Sequence, residues 1–483
     1  MNASEFPNGI NSRFDFTATL PSLDSMRAVH LIAVGGSSMS GVARLLLDRG
    51  VAVSGSDNND VPWLADLRSA GAQITIGYAA QTVEALVADT VVVISSVIQE
   101  SNPELAAARE RGLPVLHRAQ ALGVLMSGRG TLAIAGANGK TTTSAMATVA
   151  LRGAGADPSY AIGAPIVDFG ANAFVGKGDS FVVEADESDG SFLIYHPQVA
   201  IVTNIKDDHL DFYGSSQRLH QAYTEFAATI HPAGLLVVCS DDEGSATLGA
   251  RMHGAGLRVL TYGRSVKADL RLVEDGGSEF DWYGTLTLPS GGRLPLRWAV
   301  PGAHNLLNAA GVVLALTAGL GIDPVSTIRG ITQFHGTARR FESRGQVGGV
   351  RVIDDYAHNP DKVEAVIRTG LALRGGGRLI VVFQPHLYSR TQYAAAGLAA
   401  ALSLADIAIV LDVYGAREST VPGVTGALVT DRISGAEAIY TPTHDEALRA
   451  VLDRVRTGDL ILTVGAGDIT QLGQRLLTQF AER

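Results

Sequence analysis

Ala133-Ile134-Ala135-Gly136-Ala137-Asn138-Gly139-Lys140-Thr141-Thr142-Thr143 is the stretch on which the reading of this chain turns. The apolar run from Thr131 to Ala135 predicts a buried strand, the glycines a turn, and Thr142 to Arg152 a helix. Strand, glycine turn and helix start in that order build a phosphate-binding loop. Glycines let backbone N–H groups converge on phosphate oxygens, and the helix N-terminus adds its positive dipole end. Gly136, Ala137, Asn138, Gly139, Lys140, Thr141 and Thr142 form the expected nucleotide-binding run. Lys140 would reach the β- and γ-phosphates and the Thr141 hydroxyl would hold Mg²⁺. The first glycine of the usual longer motif would fall at Ile134, so this is a shortened Gly-x-x-Gly-Lys-Thr version. On these residues alone, an ordinary strand–turn–helix corner is the alternative.

Working outward, 483 residues at about 150 per domain suggest roughly three domains. Hydrophobic residues at 46% against 18% charged allow a sizeable core and argue against disorder. A net charge of −10 argues against a protein that coats nucleic acid. The single cysteine, Cys239, cannot form an internal disulfide and suits a reducing cytoplasm. Met1 to Met26 is polar and mixed, without the pattern of a secretory signal, and is expected to be a loose tail. No apolar run approaches the ~20 residues that span a bilayer. The expectation is a cytoplasmic protein with no membrane or nucleic-acid partner, a monomer or weak homodimer.

The first third predicts a βαβ unit. The strand Ala28 to Val34 is followed by Gly35-Gly36-Ser37-Ser38-Met39-Ser40-Gly41, a helix from Val42 to Arg49, and a strand ending at Asp57. The glycine spacing does not match the dinucleotide fingerprint. It suits a diphosphate on a helix N-terminus, with Asp57 near a ribose or base; an empty tight turn is the alternative. Asn102-Pro103 reads as a helix start. Ser95, Ser96, His117 and Arg118 fall at the C-terminal ends of strands, where open α/β sheets bind ligands.

In the middle third, Glu184-Ala185-Asp186-Glu187-Ser188-Asp189 sets four acids at the end of a strand. Glu184 stands where a phosphate-binding fold keeps the acidic partner of its Mg²⁺. Four carboxylates so close need a cation or donors among them. His209 lies just past the strand Val199 to Asn204, beside acids, and reads as a metal or phosphate ligand or as a structural histidine. Residues Ala268 to Val300 alternate as a small antiparallel sheet would. His304, Asn305 and Asn308 share the first turn of a helix running to about Ala318, where plain capping by Asn305 is the alternative.

Together these motifs resemble the Mur ligase family, ATP-dependent enzymes that add amino acids in peptidoglycan synthesis. The stretches that carry the resemblance include His30 to Gly41, Gly136 to Thr143, Glu184 to Phe192, Thr203 to Tyr213, Pro301 to Asn308, Phe334 to Phe341, Asp354 to Pro360, Phe383 to Thr391 and Val464 to Thr470. The resemblance implies an α/β chain of three domains. These are a Rossmann-like UDP-sugar domain (27–127), a central ATP-binding domain of the P-loop ATPase type (128–337), with a parallel and a small antiparallel sheet, and a Rossmann-like C-terminal domain (338–483). The last must swing in for catalysis. No lysine occurs between Lys206 and Lys267, which fits the member that adds L-alanine. Later members carry a carbamylated lysine there.

The implied reaction joins L-alanine to the lactyl carboxylate of UDP-N-acetylmuramate through an acyl phosphate, releasing ADP and phosphate. The resemblance assigns Lys140, Glu184, His209, Arg340 and His358 to catalysis. Thr141 and Glu184 would ligate a first Mg²⁺ and His209 a second, with Mn²⁺ an acceptable substitute. His304, Asn305 and Asn308 match the adenine contacts, Asp355 the acid near the ribose, and Arg340 the arginine that meets the phosphates. Tyr356, His358, His386 and Arg390 match the amino-acid and acyl-phosphate end. Gly35, Gly36, Ser37, Ser38, Met39, Ser40, Asp57, Ser95, Ser96, His117 and Arg118 make the UDP-sugar set. The chain departs from the family at Ala137-Asn138, at Asn359, where a second histidine is usual, and at Leu387, where many members have arginine. A paralogue for another amino acid, or a nucleotide-binding regulator without turnover, are the competing readings.

Overall fold

The computed structural model describes residues 13–16, 18–278, 281–288, 290–298, 300–416 and 418–482. Residues 1–12 and 17 of the expected tail lie outside them. The chain divides into two compact units: residues up to Gly276 with Tyr283–His335, and Gly277–Trp282 with Gly336 onward.

The first unit carries two sheets. Strands β1 (Ala28–Ile32), β2 (Ala52–Asp57), β3 (Gln73–Ile76), β4 (Val91–Ile94) and β5 (Val115–His117) make a five-stranded sheet in the order β3-β2-β1-β4-β5. Its neighbours pair in parallel. The order turns around at β1 and β4, so the loops after these strands open on one edge, where such sheets bind ligands. The helix after β1 starts at Ser37, not Val42, because Gly36 serves as its N-cap. Asn102 caps the helix Pro103–Glu110, its side chain accepting from Glu104 and Leu105 N–H.

The second sheet has ten strands: β6 (Gly130–Ala135), β7 (Ser159–Ile166), β8 (Ala171–Phe174), β9 (Ser180–Glu184), β10 (Val199–Val202), β11 (Leu235–Cys239), β12 (Val259–Gly263), β13 (Leu270–Ser278), β14 (Asp281–Thr287) and β15 (Arg293–Trp298). Their order is β15-β14-β13-β12-β11-β10-β6-β9-β7-β8. Strands β13–β15 thus extend the edge of the parallel sheet and are not detached from it. The strand β6 lies between β10 and β9, both parallel to it and buried on both faces, which is why these segments read as unbroken apolar runs. One apolar core runs from Val29 and Leu31 of the first sheet to Ala133 and Val183 of the second.

Part of the expected tail is packed. Phe14 is buried against Phe16 and His117, and Arg13 donates to the carbonyls of Ser96 and Ile98. Two aromatic rings within four residues supply the apolar area that the mixed composition concealed.

The second unit is a six-stranded sheet, β16 (Glu342–Val347), β17 (Val350–Asp355), β18 (Leu379–Phe383), β19 (Ile407–Val410), β20 (Glu437–Tyr440) and β21 (Leu460–Val464), in the order β16-β17-β21-β18-β19-β20. Only β16 pairs antiparallel, with β17. The faces bury separate clusters around Val381 and Phe383 and around Ile380 and Val382. Among the described residues no helix is long and apolar enough to cross a membrane.

Candidate active site

The loop from Gly136 to Gly139 joins β6 to the helix Lys140–Gly153, with Gly139 as a left-handed N-cap at φ 87°. Gly136 sits at φ 132°, where a Cβ would collide with the Thr203 hydroxyl, so only glycine fits. The loop is held from the end of β10. Ala137 N–H donates to the Asn204 carbonyl (3.1 Å), and Asn138 N–H to the Asn204 side-chain oxygen (3.0 Å). The Asn138 carbonyl accepts from Thr203 Oγ1 (2.7 Å) and Asn204 Nδ2 (2.9 Å). Asn308 lies 3.2 Å from where a Gly139 Cβ would stand. It donates to Asn305, which in turn donates to the Pro301 carbonyl. Asn305 and Asn308 therefore brace the helix start beside the loop, while His304 is exposed, its ring folded over Gly302.

The four acids after β9 divide their partners. Glu184 accepts from Thr141 Oγ1 (3.0 Å) and Gly163 N–H (2.7 Å). Asp186 accepts from the backbone and hydroxyl of Ser188. Glu187 takes Lys140 Nζ in two bonds of 2.7 and 2.9 Å, while Nζ also donates to the Gly136 carbonyl. Burial alone would push both Lys140 and Glu187 toward neutrality. The two short bonds fix the charged pair, which holds Lys140 above its ordinary pKa. Asp189 bonds Ser96 Oγ (2.6 Å) and lies 3.4 Å from His117 Nε2.

Thr141 and Glu184 are thus together as expected for a magnesium site. Mg²⁺ takes most of its oxygens from water and phosphate and few from protein, so this hydroxyl–carboxylate pair fits it. His209, expected at a second metal, has its ring 3.9 Å from the Asp208 carboxylate, and its backbone is left-handed at φ 55°. Among the described residues no three His, Cys, Asp or Glu side chains gather as a metal cage.

In the glycine loop after β1, Gly35 N–H donates to Asp57 Oδ2 (2.9 Å) and Trp63 Nε1 to the Gly35 carbonyl (2.9 Å). Both Asp57 oxygens serve the backbone, the second accepting from Asn59 N–H, so Asp57 shapes the loop. Ser37 Oγ reaches across to the Gly163 carbonyl (3.1 Å) and its own carbonyl accepts from Asn172 (2.9 Å). Ser40 bonds back to Ser37, and the Met39 side chain lies in the core. Ser95 closes a turn with Ile98. His117 Nδ1 accepts from Ala119 N–H as the helix cap, so Nε2 carries the proton toward Ser96 and Asp189. Burial lowers the His117 pKa. Burial also pulls on Arg118, yet Tyr195, Asp189, Asp186 and Glu184 raise its pKa above the ordinary value.

In the second unit, Tyr356 carries Arg339 and Arg340 near its ring, at 4.9 and 5.3 Å. Arg339 is spent on the carbonyls of Gly465 and Gly467, whereas Arg340 makes no side-chain hydrogen bond with a described residue. Asp355 accepts from Phe341 and Ala357 N–H, and burial raises its pKa against the pull of Arg340. His358 Nδ1 donates to the Tyr356 carbonyl (3.0 Å), leaving Nε2 an acceptor. Burial, then the Arg390 charge, push His358 down to about 3. His386 lies 6.0 Å from the His358 ring and 3.2 Å from Arg390 Nη1. Asn359 caps the helix Pro360–Leu373, and Leu387 buries its side chain at φ 68°.

Family profiles match over the same order. They are the Mur ligase family, catalytic domain (residues 28–129), the Mur ligase middle domain (134–316) and the Mur ligase, glutamate ligase domain (339–467). The UDP-N-acetylmuramate–L-alanine ligase of Kineococcus radiotolerans is 49% identical, covering 94% of this chain and 96% of its own. The chain belongs to the Mur ligase family. The enzyme of the same name from Renibacterium salmoninarum is 46% identical over 95% of this chain and 97% of its own. Among solved structures, the UDP-N-acetylmuramate-alanine ligase MurC of Thermotoga maritima superposes with a TM-score of 0.80 at 28% identity, covering 94% of this chain and 99% of that one.

For this Mur ligase, sequence reasoning missed the Asn204 clamp, the Gly163 N–H on Glu184 and the capture of Lys140 by Glu187. Asn204 did leave a trace: it follows a strand that lies beside the phosphate-loop strand, at the ligand-binding end.

Proposed function

We propose that the protein ligates L-alanine to the lactyl carboxylate of UDP-N-acetylmuramate at the expense of ATP, in peptidoglycan precursor synthesis. The observation that carries this is identity of 46–49% to ligases of that name over 94–95% of the chain. The loop from Gly136 to Thr142 receives the ATP phosphates, with Asn305 and Asn308 bracing it and His304 assigned to the adenine. The lactyl carboxylate attacks the γ-phosphorus, ADP leaves, and an acyl phosphate forms. The alanine amine then attacks the acyl carbon, phosphate leaves, and the amine sheds a proton. Lys140 neutralises the transferred phosphoryl group, the main electrostatic demand of the reaction. Thr141 and Glu184 would hold Mg²⁺, which supplies further charge neutralisation. Arg340 is assigned to the phosphate, and Tyr356, His358, His386 and Arg390 to the amino acid. No step is assigned to His209.

Phosphate release with ATP, Mg²⁺ and UDP-N-acetylmuramate against a panel of amino acids tests the reading. Turnover that depends on L-alanine is expected. Turnover with a different amino acid makes the protein a paralogue, and none with any amino acid on folded protein overturns the ligase reading.

A further inference from the structure

A cleft in the first unit runs between the glycine loop and the acids after β9, lined among others by Ser38, Gly41, Arg118, Gly163, Glu184 and Asp186. Arg118 is the one lysine or arginine in that lining. Its neighbours are already engaged, Ser96 and His117 with one another and with Asp189. Lys140, the cation across the acidic loop, is held by Glu187. Arg118 differs: its guanidinium makes no hydrogen bond or close ion pair with a described residue, although Asp189, Asp186 and Glu184 act on it from a distance and keep it charged.

We propose that Arg118 is the specificity-determining residue for the sugar substrate, its guanidinium gripping the lactyl carboxylate that distinguishes a muramic from a glucosamine sugar. This rests on the ligase reading above. A carboxylate entering the cleft meets Glu184 and Asp186 and needs a cation with donors to spare. The planar guanidinium fork offers two parallel N–H bonds to one carboxylate, a geometry that a lysine ammonium cannot copy. Glu184 both lines this cleft and accepts from Thr141, the threonine that follows the phosphate-loop lysine. A carboxylate on Arg118 is thereby kept beside the phosphate loop, where it must attack. The diphosphate has donors of its own in the backbone N–H groups of Ser37 to Met39, the first turn of the helix behind Gly36, and does not require Arg118.

The test is calorimetric binding of UDP-N-acetylmuramate and of UDP-N-acetylglucosamine, which lacks the lactyl group, to the full chain, to Arg118→Met and to Arg118→Lys. Methionine keeps the apolar stem. Expected is a rise in Kd for the muramic sugar of about ten- to a hundredfold in Arg118→Met, the worth of charge-assisted hydrogen bonds, with the glucosamine sugar unchanged within about twofold. Arg118→Lys should recover part of the loss, and serves alone should the methionine variant fail to fold. Equal weakening of both sugars would mean that Arg118 grips the diphosphate, and no weakening of either would mean that it grips neither; both overturn the proposal. A parent chain that binds the glucosamine sugar as tightly as the muramic one overturns the carboxylate grip while sparing the ligase reading. A parent that binds neither overturns both.

Discussion

Replacing Glu187 by glutamine removes the counter-ion of the phosphate-loop lysine while keeping its size. In the parent, the Glu187 carboxylate is 1% exposed and the Lys140 side chain 12%. Breaking a buried pair by removing one partner costs about 3–5 kcal/mol, because the other charge is left uncompensated. Here the loss is smaller. Lys140 keeps its bond to the Gly136 carbonyl, and Asp186 and Glu184 still act on it. An expected cost of about 2 kcal/mol follows, lowering the melting temperature of the ligand-free protein by about 3 °C for a unit of this length. Saturating ATP with Mg²⁺ supplies a new negative partner for Lys140. In the parent that partner must displace Glu187; in Glu187→Gln it does not. Differential scanning fluorimetry should therefore show a larger ATP-dependent rise in the variant than in the parent. The reasoning is refuted if the variant melts within about 1 °C of the parent and ATP raises both equally.

Gly136→Ala should weaken ATP binding more than tenfold (an estimate on the order of 2 kcal/mol of strain) and lower stability, with partial recovery in the double variant with Thr203→Ala, measured by nucleotide titration and melting. Asn204→Ala removes two side-chain bonds to Asn138 and should raise the KM for ATP about tenfold, read by steady-state phosphate release. His358→Gln should flatten the acid sensitivity of the second unit. The folded imidazole titrates at about 3 while the unfolded one titrates near 6.5, so between those values the unfolded state binds more protons and stability falls as pH falls. The parent should lose about 1 kcal/mol between pH 7 and pH 5.5 that the variant keeps, measured by urea unfolding.

The strands were the legible part of this fold. Val91–Ile94, Val199–Val202 and Leu379–Phe383 lie in sheets covered on both faces, so their apolar runs have no second interpretation. Helix starts next to ligand loops were less legible. Ser37 to Ser40 read as loop because their polar side chains hide a backbone already helical behind Gly36. The roles of neighbouring like residues were not legible at all. Arg339 and Arg340 are the same residue type in succession, yet one binds the carbonyls of Gly465 and Gly467 and the other does not. Glu184 accepts from Thr141 and Gly163 while Glu187 takes Lys140, with the turn at Asp186–Ser188 lying between them. Periodicity carries burial, whereas the aim of a side chain past a strand end depends on the turn that follows it.

The departure from the family at Ala137-Asn138 illustrates the same limit from the other side. The bonds that tie these two residues to Thr203 and Asn204 all use the backbone of residues 137 and 138: two N–H groups and one carbonyl. None uses the Ala137 or Asn138 side chain. What the loop requires at these positions is a path between Gly136 and Gly139 that keeps its N–H groups and carbonyl on the clamp, and many residue types can supply that. The constraint sits instead at the glycines, where a Cβ would collide with Thr203 or press on Asn308. It also sits at Asn204, whose side chain must donate and accept at once. A sequence change at 137–138 that keeps the backbone path therefore leaves these bonds in place, whereas Asn204→Asp keeps the acceptor and loses the donor to the Asn138 carbonyl, which weakens the clamp.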